Sequence, residues 1–254
     1  MTSWVRFESA EGAGFGVLDG ASIRVHEGDL FDRPTATDRS VQRDAVQLTM
    51  PVRPGKVLAV WNNFRALIEK MSLRVPAEPL YFIKSPNAYL DPGATIRKPA
   101  CDSRIIFEGE LAVVIGRTCR AVSERTALEH VFGYTCANDV TAVDILTRNS
   151  DFAQWCRAKG YDTFCPLGPS IETGLDPSKL TIRTRLNGGE RQRYPMDDAV
   201  FSVPQLVSRL SHDMTLNPGD VILCGTSVGV GVMKPGSTVE VEIEGIGCLT
   251  NRFE

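Results

Sequence analysis

The stretch FEGELAVVIG, residues 107–116, sets two glutamates directly in front of an unbroken apolar run. Side chains alternate across a β-strand, so Glu108 and Glu110 are expected on one face, roughly 7 Å apart. Apolar residues follow on both faces, which predicts a strand buried inside the fold. Two like charges in this place have two explanations. They mark an exposed strand end, or they are buried carboxylates that share a proton or a cation.

The composition is that of a globular protein with a mild, mixed charge. The 254 residues carry a net charge of −3, which offers no basic surface for nucleic acid. No apolar run approaches the roughly 18 residues of a membrane span. The N-terminal MTSWVRFESAEG has no signal-peptide core, and the seven cysteines lack a CxxC pair. We therefore expect a cytoplasmic protein with free thiols and with no nucleic-acid or membrane partner.

The rest of the chain indicates many short strands and few helices. Residues 1–50 are expected to form a small N-terminal β unit of hairpins, in which residues 32–50 serve as a polar linker. Residues 51–254 form the main body. The patterns predict strands in KVLAV (56–60), LYFIK (80–84), DVILCG (220–225) and TVEVEIEGIGCL (238–249), and helices at FRALIEKMS (64–72) and SERTALEHVFGY (123–134). The predicted fold class is mainly β with a few helices (α+β).

A cation between the two glutamates would need more oxygen ligands. GYTCANDVTAVD, residues 133–144, offers Asp139 at the end of another apolar stretch, and Asp144 follows five residues later. Both aspartates are therefore candidates for the same site as Glu108 and Glu110.

Five motifs in this order resemble the fumarylacetoacetate hydrolase family. They are FEGELAVVIGR, VFGYTCANDVTAVD, WCRAKGYDTFCPLGP, LNPGDVILCGT and VEIEGIGCLTNRF, and the resemblance covers roughly residues 51–254. It implies a β-rich, barrel-like roll that is usually a homodimer. It also implies a set of site residues: the metal ligands Glu108, Glu110 and Asp139, the family lysine at Lys159, and Gly225 and Thr226 of the G-T motif near the substrate carboxylate.

Two further residues have open roles under this resemblance. Lys84, at the end of LYFIK, either assists the substrate site or extends to water as strand-end lysines often do. Asp144 either supports the metal and substrate or holds a neighbouring backbone group. The sequence alone leaves both alternatives open.

Three carboxylates without histidine or cysteine would form a hard oxygen site for Mg²⁺ or Mn²⁺, with Ca²⁺ as an alternative. The metal would stabilise an enolate of a bound oxo acid, and Lys159 would donate to its oxygen. We expect a metal-dependent C–C hydrolase of a small 2-oxo or 2,4-dioxo carboxylic acid, of the acylpyruvate or fumarylacetoacetate type. The alternative is a decarboxylase or isomerase of an oxo-dicarboxylate, of the oxaloacetate decarboxylase or 2-hydroxyhepta-2,4-diene-1,7-dioate isomerase type.

The segment WNNFRAL departs from the family pattern G-x-N-Y-x-x-H. Trp61 stands in place of the glycine, and Leu67 in place of the histidine that serves hydrolytic members as a base for water. Glu69 is the remaining candidate for that base. Val143 and Leu146 replace a family arginine and glutamine. These departures also leave open a non-catalytic homologue that binds a ligand.

GTSVG, residues 225–229, matches the serine-hydrolase pattern G-x-S-x-G. That chemistry needs a helix directly after the serine and a histidine later in the chain. The last histidine of this chain is His212, before the serine, so we exclude a Ser-His-Asp triad.

Overall fold

The computed structural model describes residues 1–254 and is mainly β, which confirms the predicted fold class. The strands are β1 (Thr2–Ser9), β2 (Gly12–Asp19), β3 (Ser22–Glu27), β4 (Thr35–Gln42), β5 (Gln47–Thr49), β6 (Val57–Trp61), β7 (Leu80–Lys84), β8 (Tyr89–Leu90), β9 (Thr95–Ile96), β10 (Ile105–Phe107), β11 (Gly109–Ile115), β12 (Val131–Asn138), β13 (Thr141–Ala142), β14 (Cys165–Thr173), β15 (Thr181–Leu186), β16 (Gly189–Pro195), β17 (Val221–Leu223), β18 (Gly231–Val232), β19 (Ser237–Ile243) and β20 (Gly247–Phe253). The helices are α1 (Arg65–Met71), α2 (Val143–Leu146), α3 (Trp155–Lys159) and α4 (Val203–Asp213). None of these helices has the length and apolarity that crossing a membrane requires.

Three sheets organise the chain. The largest has 12 strands in the order β4-β3-β2-β1-β14-β12-β11-β17-β6-β7, with β5 added beside β1 and β8 beside β14. A five-stranded sheet runs β16-β15-β19-β20-β9, and a three-stranded sheet runs β13-β10-β18. β11 lies in the interior of the large sheet because β12 and β17 pair with its two edges.

β11 is buried on both faces, as its sequence predicts. Leu111 and Val113 belong to a core that also contains residues of α4 and of the five-stranded sheet. Ala112 and Val114, on the other face, belong to a second core. α4 is amphipathic and turns Leu206, one turn before Leu210, toward the first of these cores. The strand that carries Glu110, and that directly follows Glu108, is therefore fixed from both sides.

The N-terminal unit has its own small core but shares the large sheet. Val5 and Ile23 are buried in that core, while β1 continues the sheet by pairing with β14. The predicted linker over residues 32–50 is wrong, since this segment contains β4 and β5. β4 lies at the edge of the sheet and is largely exposed, so it lacks the apolar alternation that reveals a half-buried strand.

The main body also follows most of the predicted elements, although the stretch 238–249 contains two strands, β19 and β20, which pair as a hairpin. α1 covers Arg65–Met71 and ends at Ser72, whose φ is +51°. The predicted helix over 123–134 is wrong: a single 3-10 turn, Ala127–His130, leads directly into β12. Pairing of β12 with both β11 and β14 satisfies its backbone and overrides the local helical spacing.

Candidate metal centre

Three carboxylates meet where β11 begins and β12 ends. Glu108 lies between β10 and β11, Glu110 lies in β11, and Asp139 directly follows β12. The backbone N–H of Asp139 donates to the carbonyl of Glu108 at 2.9 Å. One carboxylate oxygen of each residue lies within 4.8 Å of those of the other two. Antiparallel pairing of β11 with β12 thus brings Asp139 beside Glu108, which lies 31 residues earlier in the chain.

Burial decides between the two explanations of the glutamate pair. Glu110 and Asp139 are each 1% exposed, and the Glu108 side chain is 14% exposed. The exposed strand end is therefore wrong. The three acids form a buried cluster, which we call the carboxylate centre (Glu108, Glu110 and Asp139).

Two lysines reach into the carboxylate centre. Lys159, at the end of α3, lies 2.7 Å from Glu108 Oε2 and 2.6 Å from Asp139 Oδ2. Lys84, at the end of β7, lies 2.7 Å from Asp139 Oδ1 and donates to the carbonyl of Phe164 at 2.8 Å. The Lys84 side chain is fully buried, so it does not extend to water. Both lysines that the sequence singled out therefore contact the acids.

The cluster contains three carboxylates but only two ammonium groups, and burial together with this imbalance shifts their pKa values. Burial would raise the pKa of Asp139, but Lys159 and Lys84 hold that pKa below its ordinary value. Burial would lower the pKa of Lys159, but the charges of Asp139 and Glu108 raise it above the ordinary value. Burial raises the pKa of Glu108 despite the opposing charge of Lys159. Burial, with the charges of Asp139 and Glu108, raises the pKa of Glu110 well above its ordinary value.

Glu110 is the acid without an ammonium partner. Its Oε2 accepts a hydrogen bond from the backbone N–H of Gly225 at 2.7 Å, and neither lysine forms an ion pair with it. A buried carboxylate in this position takes up a proton or needs another cation. An all-oxygen donor set favours hard divalent ions. The residues present therefore fit a divalent cation, which Glu108, Glu110 and Asp139 would hold.

Gly225 and Thr226 form the loop that follows β17 and lie against the carboxylate centre. The Thr226 hydroxyl donates to the carbonyl of Gly109 at 3.1 Å and accepts from Gln192 Nε2 at 2.9 Å. Gln192 Oε1 in turn accepts from the N–H of Gly109 at 3.1 Å. The Thr226 hydroxyl thus holds the loop to β11 in this structure, between the two glutamates.

Sequence reasoning missed three polar residues of this network. Gln192 and Tyr194 lie in β16, and Tyr194 Oη donates to the carbonyl of Gly109 at 2.5 Å. Thr141 donates to Glu108 Oε1 at 2.8 Å. The first two are buried and alternate with exposed Arg191 and Arg193. That period-two pattern could have indicated a strand with a polar inner face.

Two other candidates lie outside the centre. The Asp144 carboxylate pairs with the Arg104 guanidinium at 2.6 Å and accepts from the Arg104 N–H at 2.7 Å, which lowers the pKa of Asp144 to about 2. Of the two roles that the sequence leaves open, the structure supports the second: Asp144 holds a neighbouring backbone group, the N–H of Arg104. Glu69 is exposed on α1 and makes no hydrogen bond or ion pair with the three acids. Leu67, two residues earlier, packs against the main core.

Family models cover nearly the whole chain. The model described as "Fumarylacetoacetate (FAA) hydrolase C-terminal" matches residues 56–254. The model described as "Rv2993c-like, N-terminal" matches residues 3–51. Protein Rv2993c of Mycobacterium tuberculosis is 42% identical over an alignment of 256 positions, which covers 97% of this chain and 96% of that protein.

Two named enzymes are also similar to this chain. The 4-hydroxyphenylacetate degradation bifunctional isomerase/decarboxylase of Salmonella dublin is 40% identical over 202 residues, which cover 78% of this chain and 47% of that protein. The crystal structure of 2-hydroxyhepta-2,4-diene-1,7-dioate isomerase from Mycobacterium marinum has a TM-score of 0.92 and 40% identity, and the match covers 100% of this chain and 98% of that one. The likeness in structure thus includes the N-terminal unit as well as the main body.

Proposed function

The chain belongs to the fumarylacetoacetate hydrolase family, and we propose that it is a metal-dependent isomerase that acts on a small oxo-dicarboxylic acid through an enolate. The observation that carries this proposal is the buried carboxylate centre with Lys159 directly beside it. Decarboxylation through the same enolate is a second candidate, because one similar protein is named as a bifunctional isomerase/decarboxylase.

We propose Mg²⁺ or Mn²⁺ as the metal, with Ca²⁺ as an alternative, because the three ligands are all carboxylates. When bound, such an ion supplies the Lewis acidity that stabilises an enolate. Three carboxylates, two ammonium groups and one divalent ion leave a single positive charge. That excess favours an anionic substrate such as a carboxylic acid.

The side chains of the protein would position and stabilise this substrate. The Lys159 ammonium donates to Glu108, to the Asp139 carboxylate and to the Asp139 carbonyl, which uses all three of its N–H groups. Release of one of these bonds would let it donate to an oxygen that becomes negative beside it. Lys84 fixes the orientation of Asp139 from the other side. Gln192 and Thr226 hold the loop so that the Gly225 N–H points at Glu110. These groups are hydrogen-bonded and largely excluded from water, which strengthens their electrostatic effect.

C–C hydrolysis, the first expectation from the sequence, has less support than isomerisation. Hydrolysis requires a base that activates water, and Leu67 cannot serve as one. Glu69 is exposed and does not contact the carboxylate centre. Isomerisation moves the proton of an enol oxygen to a carbon through the enolate, and decarboxylation releases CO₂ and takes up a proton at the carbon left behind, so neither reaction needs an attacking water.

The proposal is tested by ultraviolet absorbance on 2-hydroxyhepta-2,4-diene-1,7-dioate, with Mg²⁺ or with EDTA. The proposal predicts a Mg²⁺-dependent loss of the diene absorbance and a product of unchanged mass. The variant Lys159→Met should lose this activity, whereas Lys179→Met, an exposed lysine, should retain it. Two smaller acids as products would favour the hydrolase, and release of CO₂ would favour the decarboxylase. A protein that binds Mg²⁺ but leaves this acid unchanged would refute the proposed enzymatic function.

A further inference from the structure

Three aromatic rings continue the carboxylate centre outward. Trp155 and Lys159 are four residues apart in α3, so they lie on the same side of that helix. Phe82 and Lys84 are two residues apart in β7, so they share one face of the sheet. Because both lysines contact Asp139, these two aromatic side chains lie on the side of their elements that faces the carboxylate centre.

The strand register adds a third ring. β6 pairs with β7 so that Ala59 lies opposite Phe82 and Trp61 lies opposite Leu80. Trp61 and Ala59 point to the same face, and directly opposite residues share a face as well. Trp61 is therefore on the same face as Phe82. We call Trp61, Phe82 and Trp155 the aromatic wall.

The rings of the aromatic wall are in contact with one another and with Lys159. The rings of Phe82 and Trp155 are stacked, with centroids 5.1 Å apart and an interplanar angle of 22°. The rings of Trp61 and Trp155 are 5.5 Å apart and tilted by 58°. Lys159 Nζ lies 5.3 Å from the centroid of Phe82. A continuous path of contacts thus leads from the three acids to Trp61.

Burial differs sharply along this path. Lys84, Lys159 and Asp139 are buried, whereas the three residues of the aromatic wall are only partly buried. Covering exposed aromatic surface with another apolar group lowers the free energy of the complex, and flat groups stack on such rings best. A ligand held at the carboxylate centre would bring its other end over this surface.

We propose that the aromatic wall is a subsite for a planar, apolar substituent, an aryl or conjugated alkenyl group, on the oxo acid that binds at the carboxylate centre. The inference rests on the proposed function, since it assumes that the acid end of the substrate binds beside Lys159. It narrows the substrate to oxo acids with a flat, unsaturated group beyond the carbons that react. If the rings served only to pack α3 on the sheet, they would not distinguish between substituents.

The test compares pyruvate with phenylpyruvate, which differ only in the phenyl group, on the Mg²⁺-loaded full-length protein. Isothermal titration calorimetry should give a Kd for phenylpyruvate that is lower by about tenfold, the scale expected from stacking plus burial. Trp61→Ala and Trp155→Ala should each reduce this preference to about threefold or less while the Kd of pyruvate changes by less than about twofold. Trp61→Phe and Trp155→Phe should keep most of the preference for phenylpyruvate. That result would show that an aromatic ring, rather than tryptophan itself, is needed at these positions and that substitution there does not unfold the protein.

Trp4→Ala is the matched control. Trp4 also lies among aromatic rings, 6.3 Å from that of Phe15, but in the N-terminal unit. The Trp4→Ala variant should therefore bind phenylpyruvate with the same preference over pyruvate as the wild type, as measured in the same titrations.

The outcomes separate the subsite from the proposed function. Binding of neither acid in the presence of Mg²⁺ would overturn the oxo-acid site and the subsite with it. Equal affinity for the two acids in the wild type, or a preference that the alanine variants retain, would overturn the subsite alone. An equal loss of affinity for both acids in the alanine variants would also overturn it, and would assign the rings to the packing of α3.

Discussion

At the scale of single residues, the ammonium of Lys159 acts as an internal cation of the carboxylate centre. It contacts Glu108 and Asp139 at 2.7 and 2.6 Å, and these are two of the three groups that would hold a metal ion. Lys159 and a bound metal would therefore share ligands. Under the proposed function, Lys159 would release part of these contacts to the metal and could then donate to the substrate.

Lys159→Met should make the metal-free protein less stable and more dependent on Mg²⁺. Removing one partner from buried charges costs about 3–5 kcal/mol, and a divalent ion can replace the lost positive charge. Differential scanning fluorimetry should therefore show a lower Tm in EDTA and a larger rise of Tm with Mg²⁺ than in the wild type. Lys179→Met, which breaks an exposed ion pair with Asp176, should change neither quantity. A smaller rise with Mg²⁺ in Lys159→Met would contradict the shared ligands.

Glu110 makes the stability of the metal-free protein depend on pH. Its pKa lies well above the ordinary 4.5, so the folded chain keeps a proton on Glu110 at pH values where the unfolded chain has released it. The stability from this group is complete below about pH 4.5 and is lost as the pH rises through the folded-state pKa.

Glu110→Gln should remove this loss of stability. The amide cannot titrate, but its oxygen can still accept the hydrogen bond from Gly225. In urea unfolding with EDTA, the free energy of unfolding of the variant relative to the wild type should rise between about pH 5 and pH 8. Glu8→Gln, a change at an exposed glutamate, is the control and should show no such trend. A constant difference for Glu110→Gln across this range would show that Glu110 does not carry the proton.

At the scale of elements, the loop after β17 depends on a glycine. Gly225 has a φ of +92°, and a Cβ at this position would lie 3.0 Å from the carbonyl oxygen of Val60. This backbone conformation directs the Gly225 N–H to Glu110. The loop therefore links the parallel pair β6–β17 to the carboxylate centre.

Gly225→Ala should weaken both folding and metal binding. A positive φ costs an alanine about 1–3 kcal/mol, and the contact with Val60 adds to that cost. Gly236→Ala is a close control, because Gly236 has a φ of +87° but nothing within 4 Å of its added Cβ. Urea unfolding should show a greater loss for Gly225→Ala, and calorimetry should show a lower Mg²⁺ affinity for that variant alone. Equal effects of the two changes would mean that the contact with Val60 is unimportant.

The sequence predicts those strands and helices whose buried apolar residues recur at regular spacing. β11 shows apolar residues on both faces, and α1 ends where its periodicity ends. The sequence does not predict β4, because an exposed edge strand has no apolar alternation. The spacing over 123–134 predicts a helix that includes the start of β12, because the partners of that strand, β11 and β14, are distant in the chain. The strand pairing that decides such a segment is not encoded in its own residues.

The candidate site likewise contains residues that sequence motifs identify and residues that only the packing of distant elements brings together. Glu108, Glu110, Asp139 and Lys159 lie within recognisable motifs, so the sequence was enough to select them. Gln192 lies outside the motifs, and its role follows from the position of β16 beside β11 and the loop. The aromatic wall likewise depends on the packing of α3 against β7, which no local spacing predicts.

At the scale of the whole molecule, the N-terminal unit completes the large sheet. β1 covers the edge of β14 through the pairs Thr2–Thr173 and Trp4–Ile171. The ring of Trp4 also lies 6.2 Å from that of Phe132 in the main body. The first 50 residues therefore shield a strand edge and apolar surface of the body.

Deleting residues 1–50 should expose this edge and make the remaining chain associate. Unpaired strand edges are templates for intermolecular pairing. Sedimentation velocity should show aggregates of residues 51–254, and their Tm should be lower than that of the full chain. A truncated protein with an unchanged Tm and a single sedimenting species would show that the two parts are independent.

The proposed function requires that the Mg²⁺-loaded carboxylate centre and Lys159 stabilise an enolate, formed when a hydrogen beside the keto group leaves to water, without breaking a C–C bond. The most direct measurement is proton NMR of a 2-oxo dicarboxylic acid in D₂O with the Mg²⁺-loaded protein. We predict that the hydrogens beside the keto group exchange for deuterium faster than with Mg²⁺ alone, that EDTA or Lys159→Met abolishes the acceleration, and that the carbon skeleton stays intact. Exchange no faster than with Mg²⁺ alone, or cleavage into two acids, would contradict the claim.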